Sequence, residues 1–202
     1  MVMTRKMVDE AFGATAAAAE PGDEDPFQAG DFVVYPGHGV GTIDCVGSEE
    51  FAGHRLNLVR ISFAENHMTL RIPLAGARAA GLRKIASGDV LAEVMATLGG
   101  RPRTSRLVWT KRALAYLAKI NSGDIRALAE AVRDLQSAAD GSRASFGQRN
   151  LFELAIDRLA GEVAAATGAE KGATIERLRG MLHEARQVEC LPARRVAEYV
   201  DA

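Results

Sequence analysis

The hydrophobic period of this chain changes once, after Ile85, and that change limits the folds open to it. Upstream, apolar residues come in short alternating runs separated by glycine-rich turns, as in half-buried strands. Downstream they recur every three or four residues, as in helices that bury one stripe. An α+β chain follows, with a small sheet first and a set of helices second.

The first part reads as five short strands. Phe32–Tyr35 is one, and Pro36 to Gly39 turns the chain into a second over Val40–Val46. "GSEEFAG" is read as a loop, followed by a third strand over Arg55–Phe63 and a fourth over His67–Ile72. Pro73 ends the fourth, because proline has no N–H for a ladder. "GLRKI" closes the sheet as a fifth. So many short strands in so little chain imply a strongly bent sheet or half-open barrel.

The second part reads as helices. In "SGDVLAEVMATLGG", Val90, Leu91, Val94 and Leu98 share a face, with Ser87 as cap and Gly99-Gly100 as stop. A helix from about Ser105 to Asn121 places Trp109, Ala113, Tyr116, Leu117 and Ile120 on one stripe. "DIRALAEAVRDL", capped by Asp124, aligns Ile125, Leu128, Ala129, Val132 and Leu135. Ser145 and Gln148 have capping-box spacing ahead of a stripe of Phe152, Ala155, Ile156, Leu159 and Val163. A further helix is expected over Ile175–Ala185. These stripes need one another, so a compact bundle is expected.

Charge is distributed unevenly. The net formal charge is -1, yet residues 1–30 hold two bases and six acids, whereas 86–161 hold eleven bases and eight acids. The first 26 residues, Ala-rich and then acidic, read as disordered. The basic middle is where an anionic partner belongs. No apolar run is long enough for a membrane span. "MVMTRKMVDEAF" lacks the uninterrupted apolar stretch of a secretory signal, so a cytoplasmic protein is expected. Cys45 and Cys190 fit no metal or redox spacing and are read as reduced thiols.

Catalytic chemistry is hard to find. "GHGVG" leads into a strand, whereas a phosphate loop must open a helix. His38, His54, His67 and His183 are scattered, with no ligand spacing among them. No catalytic residue, metal or cofactor is expected. Trp109 is the conspicuous residue. It is the single tryptophan, with Arg101, Arg103, Arg106, Lys111, Arg112 and Lys119 around it and no acid between Glu93 and Asp124. Two readings stay open: a core indole at the start of its helix, or an apolar wedge beside phosphate-holding bases.

"GDFVVYPGHGVG", followed by "W-T-K-R" and then "INSGDIRALAEAVRDL", resembles the CarD/CdnL family of bacterial transcription regulators over about Gln28 to Ala165. The resemblance implies a non-enzymatic protein with an N-terminal Tudor/SH3-like module followed by a helical domain. The module would bind the lobe of the RNA polymerase β subunit by strand pairing. Arg71 in "TLRIP" matches a family arginine at that contact, with Phe51 and Glu49 placed beside it. The helical domain would touch promoter DNA, largely without regard to sequence, with Trp109 as a wedge at the upstream edge of the bubble. Lys111 and Arg112 fall at DNA-facing positions, and Arg106 and Arg149 are placed with them. Glu49 and Glu50 stand where relatives carry a basic residue, and Leu114 stands where some carry lysine.

The expected organisation is an acidic extension over 1–26, the Tudor-like module over 27–85, the DNA-contacting helices over 86–166 and a helical extension over 167–202. The expected protein is a monomer, associated with the nucleoid through polymerase. The competing reading is a protein–protein adaptor with Trp109 in its core. A third is an enzyme whose site the sequence does not reveal.

Overall fold

The computed structural model describes residues 27–51, 54–65, 67–103, 107–139 and 144–189. Five antiparallel strands come first: β1 (Phe32–Tyr35), β2 (Gly39–Phe51), β3 (His54–Phe63), β4 (Met68–Pro73) and β5 (Arg83–Lys84). Their order across the sheet is β4-β3-β2-β1-β5. The alternation read in the sequence reflects a buried face of Val33, Ile43, Val59, Ile61, Phe63 and Ile72, with Phe27, Ala77 and Leu82 in the same cluster. The chain turns at Tyr35–His38, where Gly37 takes φ +81° directly after Pro36, the sequence signature of a type II turn. The His38 N–H closes it on the Tyr35 carbonyl at 3.0 Å.

One loop reading is overturned. "GSEEFAG" does not leave the sheet: β2 stays in register with β3 from Gly47↔Leu58 through Glu49↔Leu56 to Phe51↔His54. Only two residues separate the strands, the shortest common hairpin connection. The charged residues that suggested a loop sit on a two-stranded arm, where an exposed face suits them. A register shift between Ile43 and Cys45 inserts Asp44 and bends β2 before the arm.

After β4 comes a one-turn helix, α1 (Leu74–Ala77), that the sequence reading did not anticipate. The remaining helices are α2 (Gly88–Leu98), α3 (Trp109–Asn121), α4 (Ile125–Ala139), α5 (Phe146–Thr167) and α6 (Lys171–Glu189). All five expected stripe residues of α4 and all five of α5 are buried in one cluster. The α5 capping box forms in full, and Asp124 accepts from the Arg126 N–H at 2.9 Å. Ser87 stands at the start of α2 but makes no side-chain cap bond. Leu178 and Leu182 bring α6 into the same core, so the last described helix belongs to the bundle. Glu170 caps it, its carboxylate accepting from the Gly172 and Ala173 N–H groups.

The sheet and bundle meet along a polar, well-tied junction. Arg83 of β5 gives two bonds to Glu162 of α5, at 2.5 and 2.9 Å, and a third to the Gly123 carbonyl. Glu162 also accepts from the Ala86 N–H at 3.1 Å. Arg158 of α5 donates to the Gly37 carbonyl in the β1–β2 turn at 2.6 Å and to Asn121 at 2.8 Å. Lys171 pairs with Glu65 beyond β3 and with Asp157 on α5. Pro36 lies against Gly123, which has φ +77°; a Cβ there would come within 3.1 Å of the Pro36 ring. Glycine therefore serves both the backbone conformation and the close approach.

Candidate functional site

Two surfaces hold most of the residues singled out from sequence. The first is the outer edge of the sheet. β4 pairs with β3 on one side, and no described strand pairs with its other side. An unpaired strand edge carries a row of backbone donors and acceptors ready for another strand. Arg71 stands on β4 with its side chain about 60% exposed. It is not alone there. Glu49, reaching from β2, bonds Arg60 at 2.8 Å and approaches Arg71 at 3.5 Å. Glu49 thus holds two arginines on one face of the sheet. The side chain of Phe51 lies outside the described residues.

The second surface surrounds the start of α3. The helix begins at Trp109, four residues later than expected. Ahead of it, the Arg103 N–H is bonded to Asp134 at 2.8 Å, and Val108 is extended at φ -59° and ψ 149°. The first helical bond runs from the Arg112 N–H to the Val108 carbonyl. Trp109 is therefore the first helical residue, half-buried, with part of its ring against the bundle core. Of the expected stripe, Tyr116 and Ile120 are buried, but Leu117 faces solvent. Burial pushes the Tyr116 hydroxyl above its ordinary pKa, and the nearby Asp134 carboxylate adds to the effect.

Arg112 lies over the indole with its guanidinium carbon 5.6 Å from the ring centroid, within cation–π range. That places a cation beside the ring. Lys111, the residue before Arg112, is exposed. Leu107, Val108 and Leu114 are 55, 64 and 68% exposed, an apolar fringe among the bases. No acid occupies the first turn of α3. Helix starts favour negative charge, so this one retains an uncompensated positive end. An anion with apolar character, such as a nucleic acid with an accessible base, fits the surface chemically.

Arg149 lies elsewhere. On α5, Gly147 faces Trp109, with a position for Cβ 3.9 Å from the indole nitrogen. Arg149, two residues on, lines the opposite flank, in a cavity of about 250 Å³ with Gln136, Phe152, Glu153, Arg179 and His183. Thus Trp109, Lys111 and Arg112 come together, while Arg149 sits around the helix from them. Arg106 lies outside the described residues.

Sequence reasoning passed over the buried ion pairs. Arg133 and Asp134, adjacent on α4, pair at 2.8 Å with both side chains under a tenth exposed, and Asp134 anchors the segment before Trp109. Arg83–Glu162 is the other. A signal existed for the second: Glu162 is a lone acid in the apolar run "LAGEVAAA". Among the described residues no cluster of histidine, cysteine, aspartate or glutamate is arranged to hold a metal, and no helix is long and apolar enough to cross a membrane.

Comparison with known proteins matches both parts of the chain. Residues 27–86 match the family described as the CarD-like/TRCF RID domain, and residues 93–179 match the one described as CarD, C-terminal domain. YdeB of Bacillus subtilis (strain 168), named as a transcription factor, is 27% identical over 142 residues, covering 70% of this chain and 93% of that protein. The solution structure of the 72-residue N-terminal domain of Myxococcus xanthus CarD is 33% identical, covering 35% of this chain and 97% of that one with a TM-score of 0.26.

Proposed function

The chain belongs to the CarD/CdnL family of transcription regulators, and from that membership we propose that it binds the lobe of the RNA polymerase β subunit and stabilises the open promoter complex. The sheet module supplies the polymerase contact. The open edge of β4 pairs with a strand of the lobe, where backbone bonds give affinity, and Arg71 sets specificity from the same strand. The start of α3 supplies the DNA contact. Lys111 and Arg112 hold phosphates without reading bases, and Trp109 presents its exposed side to a base step at the upstream edge of the bubble.

The observation that carries this reading is the placement of Trp109: half-buried on the core, first in its helix, under Arg112 and beside exposed Lys111. A purely structural indole gains nothing from so basic a rim. A wedge needs both properties, a rigid base and a free edge. Unstacking a base step costs a few kcal/mol. A melted bubble has already met that cost, so the indole favours the open state over the duplex, and only such differential affinity shifts the equilibrium. Docking on polymerase raises the local concentration of a weakly DNA-binding surface. The protein acts by binding, without catalysis.

The test is open-complex lifetime with cognate polymerase on a ribosomal-RNA-type promoter, comparing no protein, wild type and Trp109→Ala. The expected result is a longer lifetime with wild type, lost in a variant that still binds polymerase. A wild type that neither binds polymerase nor alters lifetime overturns the reading in favour of an adaptor.

A further inference from the structure

Phe146 is 81% exposed, more than any other large apolar side chain among the described residues. It is the first residue of α5, held between Ser145 and Gln148, whose reciprocal bonds fix the backbone there. It plays no part in ending or capping the helix. A hydrophobic staple would pair the residues corresponding here to Ala144 and Arg149, leaving Phe146 out. Nor does it serve the core, whose α5 face is formed by Phe152, Ala155, Ile156, Leu159 and Val163.

Its position explains it better. The next residue, Gly147, is the one that faces the Trp109 indole nitrogen. The starts of α3 and α5 therefore meet, with an exposed phenyl ring on one and a half-exposed indole on the other. Neither helix has an acid in its first turn, although an acid there ordinarily stabilises a helix. Lys111 and Arg112 stand on α3, and the first acid of α5 is Glu153, already paired with Arg179 at 2.6 Å. Aromatic and arginine side chains also serve protein interfaces, but two helix starts without a first-turn acid, beside Lys111 and Arg112, suit a polyanion. Single-stranded nucleic acid is held by cations along its backbone and by aromatic rings under its bases.

We propose that Phe146 is a second nucleic-acid-contacting aromatic, which stacks on an unpaired base adjacent to the step met by Trp109. The inference rests on the reading that the start of α3 meets DNA, and adds that the surface prefers unpaired bases to duplex. Two aromatics on two helices engage two positions on the strand, so the chain responds to the extent of melting as well as to its edge.

The experiment uses the full chain and two DNAs of one sequence, a duplex and the same duplex with a short internal bubble, at low salt. Wild type, Phe146→Ala, Phe146→Trp and Trp109→Ala are compared, with thermal melts as a control for folding. One stacked base corresponds to about a fivefold or larger change in affinity. The expected result is that Phe146→Ala weakens bubble binding about fivefold, leaves duplex binding unaltered and melts like wild type, while Phe146→Trp retains bubble binding. If Trp109→Ala weakens bubble binding and Phe146→Ala does not, Phe146 has no such role and the proposed function stands. If wild type itself does not distinguish bubble from duplex, and open-complex lifetime is also unaffected, both readings fall together.

Discussion

Arg83 and Glu162 face each other across the junction of sheet and helices, joined by parallel bonds of 2.5 and 2.9 Å with the carboxylate almost wholly buried. Burying a carboxylate is costly unless its oxygens are satisfied. Here the Arg83 guanidinium and the Ala86 N–H do so. The pair sets the orientation of the two halves more than it adds to their stability, since buried pairs often do no better than apolar replacements.

Removing one partner is a different matter. Glu162→Ala is expected to cost about 3 kcal/mol, the lower end for a broken buried pair, because Arg83 is 31% exposed and regains some water. At roughly 2–4 °C per kcal/mol for a chain of this size, thermal denaturation resolves the loss easily. An unaltered melting temperature would show that the junction is held elsewhere.

Glu49 competes with any partner for Arg71. Glu49→Gln is expected to leave stability within about 1 kcal/mol, because the pairs stay partly open to solvent. It should also free Arg71 and strengthen binding to the polymerase lobe. Arg71→Glu should weaken the same binding. A pull-down of both variants against the isolated lobe checks this: equal capture of wild type and both variants would remove Arg71 from the contact.

Leu114, 68% exposed and one turn beyond Lys111, is a position where charge can be added. Leu114→Lys is expected to tighten DNA binding at low salt, independently of sequence. It should also steepen the salt dependence by about one unit of log K per log salt. A slope equal to that of wild type would show that this face of α3 does not approach phosphates.

Acid should loosen the fold through particular carboxylates. Lys119 holds Glu130 below its ordinary value of 4.5, chiefly by a hydrogen bond. The Ala173 and Gly172 N–H groups do the same for Glu170, Arg126 for Glu93 and Lys84 for Asp31. A carboxyl whose folded pKa is depressed binds protons more readily when unfolded. Its stabilisation is complete above the unfolded value and is lost as pH falls through the folded one. Stability should therefore be level above about pH 5 and decline below about pH 4.5. Denaturant midpoints measured across that range test the sign, and a rise toward acid would contradict it.

What the sequence discloses depends on how local the physics is. The stripes of α4 and α5 were legible because one helix face must be apolar for the bundle to close, and the Ser145–Gln148 box because its bonds span three residues. The β2–β3 arm was misread because charge and glycine mark an exposed hairpin and a loop alike, and only pairing across strands separates them. The start of α3 at Trp109 is hard to read because no side-chain cap bond and no first-turn acid mark it, and the apolar stripe alone does not fix where a helix begins. The resemblance groups Arg149 with Trp109 at the DNA contact, yet the turn of α5 sets them on different flanks. That separation appears only once the helices are packed.

The ties of Arg83 to Glu162, Arg158 to Gly37 and Lys171 to Glu65 have a consequence for timing and reach. A flexible tether would let Trp109 search many positions on DNA, each visited briefly. A junction fastened at three points removes that search, because its ordering is complete when the chain folds. On the proposed reading, the protein is then a fixed-length gauge: once β4 is seated, the indole meets DNA at one distance from the polymerase. Promoters would differ in their response by where their melting boundary falls against that gauge, whatever bases happen to lie there.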